Sequence, residues 1–193
     1  MQIKPWLKRV IGRTLPTDTL GKLTEYSISE REMPLVGSAL VEVNGSGWDD
    51  LVGVGRFQVW KRLLERIGTT DVLLVEFGVF RGDSMRKFVE LIDSPGSRFY
   101  GFDSFEGLPE VWRGTPAGHF GVSGNIPKID DDRVSFVKGW FRDTLPGKLD
   151  ELADVAEGRS IIVHFDADLY SSTLYVMFKL SKIINRYSFI FDE

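Results

Sequence analysis

The sequence predicts an α/β fold in which a parallel sheet carries helices on both faces. Short apolar runs that suit buried strands alternate with segments whose apolar residues recur at helical spacing. Strands alternating with helices are typical of a parallel sheet. Several of these runs also end in glycine or acidic residues. Because ligands of such sheets bind at the carboxyl ends of the strands, we expect the functional site there.

The predicted elements begin at residue 57. The strands, in chain order, are Val72–Phe77, Arg98–Phe102, Val134–Lys138, Ile161–Phe165 and Ser188–Phe191. Helical spacing is found around residues 57–67, 84–92, 149–156 and 174–184. The stretch from Ser104 to Arg133 is rich in Gly and Pro, and we predict a long loop that closes over a ligand. Residues 1–55 are predicted to form an N-terminal extension or lid, and residues 56–193 the ligand-binding domain.

Composition narrows the function classes. The chain has 193 residues and a net charge of −4, which argues against nucleic-acid binding because that requires a basic face. It contains no cysteine, which excludes disulfides and thiolate sites and fits a cytoplasmic protein. No apolar run is long enough to span a bilayer. The G-x-S-x-G and G-x-x-x-x-G-K-[ST] patterns of serine hydrolases and P-loop proteins are absent.

The turn after the first strand is a candidate ligand site. Gly78 and Gly82 allow a tight turn and close approach of a ligand, and the next helix offers free amides. Their spacing is G-x-x-x-G, which differs from the G-x-G-x-x-G of dinucleotide binders. Glu76 closes an otherwise apolar strand, which is costly unless the carboxylate has a partner. An amino group on a ligand would be one.

Acidic residues follow three further strands. Asp103 is placed to accept the two hydroxyls of a ribose, and the alternative is an Asx turn that opens the loop. If strands four and five are neighbours, Asp166 and Asp192 come together, and a Mg²⁺ ion would relieve their repulsion. The alternative is that Asp168 and Asp192 are solvated strand-end residues or helix caps.

The two histidines lie in different settings. His164 falls inside an apolar strand, which favours a hydrogen-bonded core residue. His119 lies in the long loop, where a general base or a substrate contact is plausible.

Four segments together resemble a known family. Glu76–Gly82, Phe102–Pro109, Lys138–Pro146 and Asp166–Thr173 contain D-S-F-E-G-L-P, G-W-F-x-D-T-L-P and D-A-D-L-Y-x-S-T in this order. They resemble the macrocin O-methyltransferases, the TylF/MycF/NovP-like enzymes that methylate sugar hydroxyls of natural products. The resemblance covers roughly residues 57–193. It implies a Rossmann-like class I methyltransferase fold that is cut short after the fifth strand, since the family continues beyond it.

The resemblance also implies a cofactor, S-adenosyl-L-methionine, and a set of site residues. The cofactor residues would be Glu76, Gly78, Gly82 and Ser84 at the methionine portion, Asp103 and Ser104 at the ribose, and Gly139 and Trp140 at the adenine. The metal residues would be Asp166, Asp192 and Glu193, with Mg²⁺ as the ion. Glu193 departs from the Asp expected in many relatives.

The predicted function is an O-methyltransferase assisted by Mg²⁺, with His119 and Asp166 as catalytic residues. The acceptor would be a small molecule, a sugar hydroxyl of a natural product or glycan, with no nucleic-acid partner and no membrane span. A homo-oligomer is left open. The alternatives are an NAD(P)-dependent oxidoreductase, against which the missing G-x-G-x-x-G weighs, and a non-catalytic nucleoside-binding module.

Overall fold

The computed structural model describes residues 56–68, 70–181, 183 and 188–191. The predicted N-terminal lid therefore lies outside the described residues. The helices are α1 (Arg56–Ile67), α2 (Asp83–Leu91), α3 (Phe141–Thr144), α4 (Leu149–Ala156) and α5 (Tyr170–Leu180), with a 3-10 turn at Leu145–Lys148. The strands are β1 (Val72–Phe77), β2 (Arg98–Asp103), β3 (Val134–Lys138), β4 (Ser160–Phe165) and β5 (Ser188–Phe191).

The five strands form one sheet in the order β3-β2-β1-β4-β5, and every pair is parallel. The predicted parallel sheet is confirmed, and so is the condition that strands four and five are neighbours. The chain builds outward from β1 through β2 to β3, and then crosses back to β4 and β5. The strand order therefore reverses between β1 and β4, which is where sheets of this type bind ligands.

Helices cover both faces of the sheet, as predicted. Alternate residues of β1 point to opposite faces because the side-chain period of a strand is two. Val72 and Leu74 pack in the core formed with α1 and α2, whereas Leu73, Val75 and Phe77 pack in the core with α4, α5 and the 3-10 turn. All six residues of β1 are buried, as expected for a central parallel strand.

Two local features differ from the sequence prediction. No helix was predicted directly after the third strand, but α3 and the 3-10 turn occupy residues 141–148. The long loop from Ser104 to Arg133 does lack helices and named strands, yet it folds on itself through a bridge between Trp112 and Thr115. Both features depend on local turns too short for a periodic apolar pattern.

Arg133 joins the end of α2 to the start of β3. Its guanidinium forms an ion pair with Asp131 at 2.7 Å and donates to the carbonyl oxygens of Ile92 at 2.6 Å and Ser94 at 3.1 Å. Its Cζ also lies 5.0 Å from the centroid of the Phe99 ring. Charge-assisted bonds of this kind are the stronger ones, so Arg133 fixes the connection that leads into β3.

No helix within the described ranges has both the length and the apolar character needed to cross a bilayer.

We expect Arg133→Gln to lower the free energy of unfolding by about 1–3 kcal/mol, because carbonyl groups and a carboxylate lose a charged donor. Urea denaturation measures this. Lys87→Gln is the control, since its ion pair with Glu90 is exposed and contributes less than about 1 kcal/mol. Equal losses in the two variants would contradict the role of Arg133.

The same ion pair predicts a pH dependence. Hydrogen bonding from Arg133 lowers the pKa of Asp131 below its usual value of 3.8. The stabilisation is therefore fully present above that pH and is lost as the pH falls through the lower pKa of the folded state. We expect the stability difference between the wild type and Arg133→Gln to narrow below pH 3.8 in urea titrations. A constant difference would show that the carbonyl contacts alone stabilise the fold.

Candidate functional site

A cavity of about 530 Å³ opens at the carboxyl ends of the strands. Its lining comes from the turn after β1, the end of β2 and the following loop, α3, and the segment between β4 and α5. This is the edge of the sheet where the strand order reverses. The location agrees with the rule for parallel α/β sheets and with the sequence prediction.

The floor of the cavity depends on a close approach of two strand ends. Gly78 has a φ of 92°, and a Cβ atom built on it would lie 1.9 Å from the backbone oxygen of Asp166. The amide of Asp166 donates to the carbonyl of Phe77 at 2.9 Å, which holds the two chains together. Only glycine is compatible with both this backbone conformation and this contact.

Glu76 lies beneath the glycine turn and does not line the cavity. Its register partner on β4 is His164, and both side chains are completely buried. His164 Nδ1 lies 2.9 Å from Glu76 Oε1, and the Ser84 hydroxyl donates to the same oxygen. Oε2 of Glu76 is buried and has no hydrogen-bond partner among the described residues. His164 is thus a hydrogen-bonded core residue, as the sequence favoured.

Asp103 at the end of β2 lines the cavity and organises two loops. Its Oδ2 accepts the amides of Val79 at 2.7 Å and Phe80 at 2.8 Å, both in the glycine turn. Its Oδ1 accepts the amide of Phe105 at 2.7 Å, which is the Asx turn that the sequence left open. The ribose contact stays a prediction. A carboxylate with three amide donors retains one acceptor position for a further donor.

The loop after β2 is closed by its own hydrogen bonds. The carbonyl of Phe105 accepts the amides of Val122 at 3.1 Å and Gly124 at 2.9 Å, while Leu108 exchanges two bonds with the segment at Gly118 and His119. Loops held in this way act as rigid walls. The Gly-rich segment thus forms one side of the cavity.

Two carboxylates follow β4, and both line the cavity. Burial raises the pKa of Asp168, and electrostatic interactions with His119 and Arg113 oppose this rise. His119 is exposed and does not line the cavity itself. Asp168 also has a φ of 61°, a region that aspartate adopts more readily than most residues.

The opposite wall is formed by the α3 segment. Trp140, Phe141 and Arg142 line the cavity after β3, with Tyr175 of α5 beside them. The hydroxyl of Tyr175 donates to the carbonyl of Arg142 at 3.3 Å. Gly139 bonds to the end of β2 through its amide but does not line the cavity. An aromatic wall with backbone polar groups suits the flat face of a nucleobase.

The structure therefore brings some predicted site residues together and separates others. Those that line the cavity are Gly78, Asp103, Ser104, Trp140 and Asp166. Those that do not are Glu76, Gly82, Ser84, Gly139 and His119. Asp192 and Glu193 lie outside the described residues, and the part of the chain that is described contains no group of three metal-ligating side chains.

Phe80, Phe120 and Tyr175 also line the cavity, and the sequence did not point to them as site residues. Tyr175 fits a helical apolar pattern and was indistinguishable from a core residue. Both phenylalanines lie within two residues of a glycine in a loop, but only the structure shows their left-handed backbone.

The sequence of this region matches a known family. Residues 123–192 match the family model described as macrocin O-methyltransferase (TylF). The resemblance seen in the four sequence segments is confirmed.

Two curated relatives match a larger part of the chain. An 8-demethyl-8-(2,3-dimethoxy-alpha-L-rhamnosyl)-tetracenomycin-C 4'-O-methyltransferase from Streptomyces olivaceus is 36% identical over 121 residues, which is 52% of this chain and 44% of the relative. The demethyldecarbamoylnovobiocin O-methyltransferase from Streptomyces niveus is 30% identical over 147 residues, 64% of this chain and 53% of the relative. The chain thus spans about half the length of the curated relatives it matches.

Among solved structures, the calicheamicin methyltransferase CalS11 is similar in fold. It has a TM-score of 0.55 and 24% sequence identity, covering 92% of this chain and 77% of that one. At this identity the likeness shows the fold alone. The predicted Rossmann-like class I methyltransferase fold is confirmed.

We expect Gly78→Ala to destabilise the protein by about 2–4 kcal/mol, because the new Cβ meets a carbonyl oxygen and the backbone is strained. Gly158→Ala is the matched control. Gly158 also has a positive φ, of 72°, but open space around it, so its cost is limited to about 1 kcal/mol of strain. Thermal and urea unfolding of both variants measure the difference, and equal costs would contradict the close contact.

The buried group below the turn gives a second prediction. We expect Glu76→Ala to cost about 2–4 kcal/mol of unfolding free energy, because Ser84 and His164 lose their shared buried acceptor. Glu76→Gln retains an acceptor oxygen and should cost less. Denaturation of both variants at one pH is the measurement, and a Gln variant as unstable as the Ala variant would rule out this role.

Proposed function

We propose that the protein is an S-adenosyl-L-methionine-dependent O-methyltransferase. The observation that carries the proposal is the cavity at the strand-order reversal, lined by Gly78, Asp103, Trp140 and Asp166. The match to macrocin O-methyltransferases over residues 123–192 supports the same reaction class. Both curated relatives carry the name of an O-methyltransferase.

The donor would lie across the floor of the cavity. Gly78 lets its methionine portion approach the backbone, and Gly82, Glu76 and Ser84 support this turn from outside the cavity. Ser104 lines the cavity next to Asp103, whose remaining acceptor position faces a ribose hydroxyl. The adenine would lie against Trp140, with Gly139 at the end of the strand below it.

The proposed reaction moves a methyl group from the donor sulfonium to an acceptor oxygen. The sulfonium becomes a thioether, a new carbon–oxygen bond forms, and the acceptor's hydroxyl proton passes to a base. His119 is the proposed base. Asp168 is a second candidate, because it lines the cavity and burial raises its pKa, which makes a carboxylate a better proton acceptor. Such transfer depends mainly on positioning the acceptor and excluding water.

The donor set near the cavity is compatible with Mg²⁺, which prefers carboxylate oxygens. Asp166 lines the cavity, and the ends of β4 and β5 are paired at Phe165 and Phe191. Asp192 and Glu193 follow Phe191 in the sequence. We therefore assign Asp166, Asp192 and Glu193 as the metal residues. A bound Mg²⁺ would lower the pKa of the acceptor hydroxyl and orient it.

For the acceptor we propose a sugar hydroxyl of a small natural product. The names of both curated relatives describe natural-product substrates, one of them with a rhamnosyl group. We further propose that the protein acts in the cytoplasm, based on its cysteine-free sequence.

Calorimetric titration with S-adenosylhomocysteine tests the donor site. We expect binding to the wild type, and a loss of about 5- to 150-fold in affinity in Trp140→Ala, because base stacking on an aromatic ring contributes about 1–3 kcal/mol. Trp112→Ala is the matched control, since Trp112 lies in the loop but does not line the cavity. No heat with either the donor or its demethylated product would exclude the proposed function. If neither compound binds but NADH raises the melting temperature, the result would favour an oxidoreductase.

Asp166→Asn tests the metal. We expect Mg²⁺ to raise the melting temperature of the wild type with bound S-adenosylhomocysteine, and this effect to disappear in the variant or in chelator. Methyl transfer that proceeds undiminished in chelator would remove the metal from the mechanism.

A further inference from the structure

Two phenylalanines on the cavity wall adopt a backbone conformation that bulky residues rarely adopt. Phe80 has a φ of 53° and Phe120 a φ of 62°. They come from different loops, and both line the cavity. Their ring centroids are 6.0 Å apart at an interplanar angle of 80°, an edge-to-face contact. Strained residues of this kind persist only where the surrounding structure fixes them, and they cluster at functional sites.

A single carboxylate holds both loops in place. Asp103 accepts the amide of Phe80 itself at 2.8 Å, which fixes the left-handed backbone of that residue. The same carboxylate accepts the amide of Phe105, whose carbonyl closes the loop that carries Phe120. The relative position of the two rings is therefore set by the end of β2 rather than by the rings.

Core packing does not account for this arrangement. Phe120 is 42% exposed, whereas the phenylalanines of the sheet, such as Phe77 and Phe102, are completely buried. The ring centroids of His119 and Phe120 are 4.4 Å apart. Asp168 and Ser172 line the same cavity as the two phenylalanines. A partly exposed aromatic pair beside hydrogen-bonding groups is typical of a ligand subsite.

We propose that Phe80 and Phe120 form the acceptor subsite and bind a ring through its apolar face. The inference rests on the proposed methyltransferase function and names the acceptor's chemistry. The ligand has a ring with a C–H or π face that contacts the phenylalanines, and a hydroxyl at its edge that faces Asp168. A sugar ring and an aromatic aglycone both offer such a face.

The test uses the protein saturated with S-adenosylhomocysteine and three probes, with dissociation constants measured by ligand-observed NMR. Methyl α-L-rhamnopyranoside offers a sugar ring, p-nitrophenyl α-L-rhamnopyranoside adds an aromatic ring, and L-rhamnitol is an open-chain polyol. We expect at least one cyclic probe to bind more tightly than the polyol. Preference for the aryl compound over the methyl compound assigns the wall to an aglycone, and equal binding assigns it to the sugar.

Variants at Phe120 connect this binding to the wall. We expect Phe120→Leu to weaken binding of the preferred probe about three- to tenfold. Phe120→Tyr keeps the aromatic ring, so its affinity for the probe should stay within about twofold of the wild type. Val111→Ala is the control, because Val111 is exposed in the same loop but does not line the cavity. S-adenosylhomocysteine affinity should stay within about twofold in all three variants.

The possible failures are distinguishable. A wild type that binds no S-adenosylhomocysteine would overturn the proposed function and this inference with it. Normal S-adenosylhomocysteine binding with no preference for cyclic probes, or with Phe120→Leu equal to wild type, would overturn the acceptor subsite alone.

Discussion

The architecture of the site depends on one close contact between the ends of two neighbouring strands. β1 and β4 are paired up to Phe77 and Phe165, and the turn after β1 passes against the backbone of Asp166. The absent side chain of Gly78 permits this contact, in which any Cβ would meet a carbonyl oxygen at 1.9 Å. Because the cavity opens at this point, its floor is formed by backbone, which a bound molecule can approach closely.

The acidic residues around this contact have different physical tasks. Glu76 is buried and accepts hydrogen bonds from Ser84 and His164 below the turn, so it stabilises the scaffold. Asp103 uses three amide bonds to hold two loops. Asp166 and Asp168 line the open side of the cavity. The acidic side chains at this edge of the sheet are therefore divided between support of the scaffold and lining of the cavity.

This division explains how much of the site the sequence could predict. The position of Asp103 and Asp166 at the cavity followed from their location directly after strands, since parallel strands end at the same edge. Glu76 is one residue from the end of β1, and the same reasoning predicted that it would contact a ligand. Because strand residues alternate between faces, its side chain instead points to the face covered by α1 and α2. There it contacts His164, its register partner on β4. The pairing register of β1 with β4 was needed to see this.

By itself, the sequence determined the strands, four of the helices, the parallel sheet and the edge that carries the site. Each of these follows from local periodicity and from the glycines and acids that end the strands. The tertiary structure alone decided that Glu76 lies outside the cavity and that two phenylalanines in strained loops share one wall. The physical reason is that these properties depend on contacts between segments far apart in the chain. The carboxylate of Asp103, which reaches both loops at once, is the clearest example.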